Sequence, residues 1–293
     1  MIHILFVPGM FGSTLEYVLA TYSKEINATK DGRIAVDGSM HAHSKENHWT
    51  NLKQIVDAYS TGNVSRISTP IYPFENMNLM DIVGVLEEYF QDQDSKILIY
   101  ATDIDSAEIN LLFQYHKIVV GKKYSLGLDV FFNKVDGYQQ WNPAYTKWQD
   151  MQTWELREWL SIFYPAWIQE WIDSEHQVSG DFLKISNKQL LDNTVDTVSK
   201  IFDFCNLTPT QDLNTFLETW RSAQQYVLDE YSLILKIVDA TINNQTLTWA
   251  PLNLAAEAIV QQRLRSQGYE IRCNGLNAFP TDSETLYNLL EKV

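Results

Sequence analysis

The run Ile2-His3-Ile4-Leu5-Phe6-Val7-Pro8-Gly9-Met10-Phe11-Gly12-Ser13-Thr14-Leu15 constrains the fold more than any other stretch of the chain. Ile2 to Val7 is apolar except at His3, which suits a strand covered on both faces. Pro8 and Gly9 punctuate it. Gly12, Ser13 and Thr14 then open a helix. Strand, glycine-containing turn and helix form the arrangement on which α/β proteins hold a phosphate. The free N–H groups of the first helical turn and the positive end of the helix dipole both face the anion. No Lys precedes Ser13, so the ammonium of a complete phosphate loop is missing.

Further along, apolar runs at Lys96–Ala101 and Asp181–Ile185, with a weaker one at Val64–Thr69, read as parallel buried strands. Helical spacing follows each in turn: Ser13–Thr21, Asn78–Phe90, Ser106–His116 and Asn193–Phe204. Asp105 or Ser106 is suited to cap the third of these. Alternation of this kind predicts an α/β fold of three layers. It has a central parallel sheet of about four or five strands, helices on both faces and a helical C-terminal portion. At 293 residues we expect one domain, with a core over 1–210 and an extension over 211–293. That extension should hold a short strand at Tyr269–Cys273 and a helix from Asp282 to Glu291, capped by Thr281 or Asp282.

Charge narrows the partners. With 22 basic and 37 acidic residues the net charge is −15, which disfavours nucleic acid and anionic membranes. The two cysteines, Cys205 and Cys273, form no metal or disulfide pattern. No apolar run is long enough to span a membrane, and Met1 leads straight into a strand, so a cytoplasmic location is expected. The polar segment Gly32–Thr50 carries His41, His43 and His48 and reads as a long loop over one sheet end. Trp159, Phe163, Trp167 and Trp171 form an aromatic stripe, either a packed helix or a wall for a sugar or apolar acceptor.

Phe182 to Leu207, with its strand, its Ser186-Asn187-Lys188-Gln189-Leu190 corner and its helix ending Ile201-Phe202-Asp203-Phe204, resembles the late strand–helix unit of the sulfotransferase family. Pro8–Leu15 is similar to that family's 5′-phosphosulfate loop, and Lys96–Ala101 with Asp103–Gln114 to its 3′-phosphate unit. The likeness covers roughly residues 1–210. It implies a P-loop-like fold and 3′-phosphoadenosine 5′-phosphosulfate as donor. The sulfuryl group would pass to a hydroxyl or amine of a small-molecule or carbohydrate acceptor, without a metal. It implies donor contacts at Gly9, Met10, Phe11, Gly12, Ser13, Thr14 and Asn110. Met10 stands where the family has Lys, and Asp103 where it has Arg. For the base, the resemblance points to Ser68 at the end of the second strand, and the loop supplies His43 and His48.

Other readings stay open. A non-catalytic binding module on the same scaffold fits the missing Lys, Arg and His. A lipase-like α/β-hydrolase fits Val7–Glu16, but the nearest nucleophile elbow, Lys123-Tyr124-Ser125-Leu126-Gly127, lacks its first glycine and no His follows His176. A nucleotide kinase needs the absent Lys. Arg66, Arg263 and Arg265 are alternative cations for a phosphate.

Overall fold

A computed structural model of the chain describes residues 2–6, 11–26, 64–68, 96–101, 103–116, 182–272 and 278–293. The Asn78–Phe90 helix, the Gly32–Thr50 loop with its three histidines, and the aromatic stripe lie outside the described residues.

Four strands form one parallel sheet: β1 (Ile2–Phe6), β2 (Val64–Ser68), β3 (Lys96–Ala101) and β4 (Phe182–Ser186), in the order β2-β1-β3-β4. The register pairs Ile2 with both Val64 and Lys96, and Ile97 with Phe182. β1 is thus an inner strand, which is why its residues are apolar without alternation except at the buried His3: Ile4 and Leu5 are both completely enclosed. The chain runs from β1 outward to β2, then returns to the other side of β1 for β3. That reversal puts a topological switch point between the carboxyl ends of β1 and β3.

By its contacts the chain divides into two compact units, one of residues 1–110 and 167–224, the other of 111–166 and 225–293. In the first, α1 (Gly12–Tyr22) packs against β2 and β1. A second helix, α2 (Ile104–Tyr115), follows β3 and runs on into the second unit. After β4 come α3 (Asn187–Asp192), α4 (Thr194–Phe204) and α5 (Leu213–Ala223). Leu15 and Leu19 of α1, Ile4 and Leu98 of the sheet, and Ile201 and Phe202 of α4 share one core. The segment after α1 is stitched to the segment after α4: Lys24 N donates to Thr208 O at 3.0 Å and Thr210 N to Tyr22 O at 2.8 Å.

The second unit contains α6 (Gln225–Ile242), α7 (Leu254–Ser266), β5 (Tyr269–Ile271), α8 (Ser283–Asn288) and β6 (Leu290–Lys292). Here α6 packs on α7 and α8. The final helix is shorter than its sequence pattern because Leu290–Lys292 turns away to pair antiparallel with Tyr269–Ile271. Its cap is Asp282, whose Oδ1 accepts from Thr285 N at 2.7 Å. No described helix is long and apolar enough to cross a membrane.

Candidate functional site

The carboxyl edge of the sheet gathers the starts of α1, α2 and α3. Phe11 precedes α1 in the left-handed region, at φ 58° and ψ 17°, and no side chain caps the helix behind it. The α1 ladder begins when Leu15 N donates to Phe11 O at 2.9 Å. Among the described residues no acceptor meets the amides of Gly12, Ser13 and Thr14. An uncapped first turn of an 11-residue helix carries partial positive charge at its mouth, with donors that no described residue uses. The ring of Phe11 packs edge-on against Trp220 of α5, with centroids 5.0 Å apart. That contact ties Phe11 to the core. Gly12 itself is buried.

At the end of β3, Asp103 caps α2: its Oδ1 accepts from Ser106 N at 2.6 Å, and its carbonyl from Ala107 N at 3.0 Å. The cap lies two residues earlier than the sequence pattern suggested. Ser106, completely enclosed, accepts from Lys188 N at 3.2 Å and so joins the starts of α2 and α3. Lys188 forms an ion pair with Asp192. The pair, with Asp105 and Asp103 nearby, holds the lysine above its ordinary range. At the end of β4, Ser186 and Gln189 close a reciprocal capping box, Gln189 N to Ser186 Oγ at 3.1 Å and Ser186 N to Gln189 Oε1 at 3.2 Å.

Of the residues singled out from sequence, Phe11, Gly12, Ser13 and Thr14 stand together at this edge. Ser68 ends β2 in register with Phe6, so its backbone reaches the same edge. Asn110 sits two turns into α2, 2% exposed, and its Oδ1 has no partner among the described residues. Gly9, Met10, His43 and His48 lie outside the described residues. Two of the alternative cations are engaged elsewhere: Arg263 donates to the Tyr231 hydroxyl at 2.7 Å, and Arg265 pairs with Glu270 at 3.4 Å. Among the described residues no three His, Cys, Asp or Glu side chains cluster as metal ligands would.

One group escaped sequence reasoning. His116, at the end of α2, donates from Nε2 to Glu230 Oε2 at 2.5 Å, and Asn253 Nδ2 donates to Glu230 Oε1. The partners are 114 residues apart, and no local motif marks the pairing. In comparisons with known proteins, the chain matches no family model, no curated protein and no solved structure.

Proposed function

We propose that the chain is a sulfotransferase-like protein with a P-loop-like fold. It binds 3′-phosphoadenosine 5′-phosphosulfate through the first-turn amides of α1 and passes the sulfuryl group to a hydroxyl or amine of a small-molecule or carbohydrate acceptor. The observation that carries this reading is the uncapped N-terminus of α1 behind a left-handed Phe11, at the carboxyl end of an inner parallel strand beside a switch point. In the transfer, the acceptor oxygen or nitrogen forms a bond to sulfur as the bridging S–O bond breaks. The leaving phosphate keeps the bonding pair and the acceptor proton passes to a base. Main-chain amides supply fixed positive dipoles to the leaving phosphate. Ser68 and the loop histidines His43 and His48 are the groups assigned to the acceptor side.

A second reading, a binding module without turnover, is favoured by Asp103. Its carboxylate is committed to capping α2, where a 3′-phosphate would need a cation. Calorimetric titration with 3′-phosphoadenosine 5′-phosphate tests the site itself. Micromolar binding with thermal stabilisation is expected of the transferase, and silence up to millimolar ligand would refute it and favour a module with no nucleotide site. Binding without transfer of labelled sulfate to any hydroxyl or amine in an acceptor panel would leave the module. Gly12→Val should abolish binding while the circular dichroism spectrum is kept, because a branched side chain blocks approach to the amides. Equal affinity in that variant would remove the turn from the site.

A further inference from the structure

Outside the sheet edge, the second unit holds a wired imidazole. Both oxygens of the Glu230 carboxylate are committed, one to His116 Nε2 and one to the Asn253 amide. Asn253 is itself fixed, since its Oδ1 accepts from Ala256 N at 3.0 Å as the cap of α7. The carboxylate is therefore oriented from two sides, and it in turn fixes the plane and tautomer of the imidazole. With the proton on Nε2, Nδ1 presents a lone pair, and it has no partner among the described residues. The side chains of His116 and Glu230 are 22% and 19% exposed, accessible yet partly desolvated. Tyr226, 45% exposed, stands nearly perpendicular to the imidazole, with ring centroids 5.3 Å apart.

We propose that His116, positioned by Glu230 and Asn253, is a hydrogen-bond-accepting site for a hydroxyl-bearing ligand, of carbohydrate type, whose apolar face lies against Tyr226. Nδ1 accepts a hydrogen bond from the ligand hydroxyl, whose proton stays on oxygen, and the Glu230 carboxylate, held on the Nε2 proton, strengthens Nδ1 as an acceptor. Glu230 acts through His116 and is a positioning residue. The α2 helix spans about 18 Å from Ile104 to Tyr115, so His116 and Asp103 lie at opposite ends of it. The proposal stands independently of the α1 anion site.

An unencumbered, oriented Nδ1 should be the most reactive imidazole nitrogen in the chain, whereas a histidine that only ties helices together should be protected. Diethyl pyrocarbonate on the full-length protein reads this directly. Attack of Nδ1 on the carbonyl carbon expels ethyl carbonate, and the Nε2 proton moves to Glu230. Peptide mass spectrometry should show His116 modified about tenfold faster than the other five histidines, and Glu230→Gln should return it to their rate. Modification of His116 at or below the rate of the others in the parent protein would overturn the proposal, whatever the variant does. An unchanged rate in a folded Glu230→Gln protein would remove the positioning role.

Discussion

Backbone conformation at single residues sets several energies in this chain. Asn206, Asn244 and Gly268 each follow a helix in the left-handed region, at φ 54°, 51° and 82°. At the first two, the next amide reaches back across the turn, Leu207 N to Phe202 O at 2.9 Å and Gln245 N to Ala240 O at 2.8 Å. Both are helix-terminating motifs that glycine serves best and asparagine tolerates. Asn206→Gly and Asn244→Gly should each stabilise the protein by a few tenths to about 1 kcal/mol in denaturant titrations. Gly268→Ala should cost about 1 kcal/mol from backbone strain alone, since a Cβ there meets nothing within 4 Å. A side chain supplies the second case. Burial holds the His3 imidazole down at about 3, against an ordinary 6.5. The unfolded chain takes up a proton near 6.5 that the folded chain refuses until about 3. Stability is therefore full above that window and falls with pH inside it, by up to about 1.4 kcal/mol per pH unit. His3→Gln should flatten the fall in melting temperature between pH 6.5 and 4, and an equally steep fall in the variant would acquit His3. Glu25 acts lower, between 4.5 and about 2, because Thr208 hydrogen bonds stabilise its carboxylate.

At the level of elements, strands were legible, whereas among the caps only that of the last helix was, where Asp282 was one of two candidates. The four runs read as strands match β1 to β4 within a residue or two; the signal is clearest at β1 and β3, which are flanked on both sides and need apolar residues on both faces. Helix starts depend on which loop residue happens to aim an oxygen at the first turn. Asp105 and Ser106 looked equally suited, yet Asp103 does it. The Ser186–Asp192 corner hides a six-residue helix whose capping box is read only when the backbone is seen to turn. Ser186→Ala removes half of that box, and should cost about 1 kcal/mol, seen as a lower denaturation midpoint with unchanged slope. A midpoint equal to the parent's would mean the box is idle. The last helix illustrates the reverse: local pattern carried it to Glu291, but pairing of β6 with β5 won.

Over the whole molecule, the candidate anion site was half legible. Glycine and hydroxyl residues after a buried strand mark the α1 turn, whereas the His116–Glu230 pair joins helices far apart in sequence and leaves no local trace. Global charge makes the anion reading testable in one more way. A net charge of −15 repels an anionic nucleotide at long range, and the attraction proposed at α1 comes from amide dipoles that act within one helical turn. Screening reaches the distant carboxylates first: the Debye length shrinks from about 30 Å at 0.01 M to about 8 Å at 0.15 M. Affinity and association rate for 3′-phosphoadenosine 5′-phosphate should therefore hold steady or rise across that range. A site built from clustered cations would show the opposite slope. Met10→Lys adds the ammonium that the resemblance leads one to look for, so it should tighten binding about tenfold at low salt and reverse the salt dependence. A parent protein whose affinity already falls steeply with salt would mean that cations, and not the α1 amides, hold the ligand.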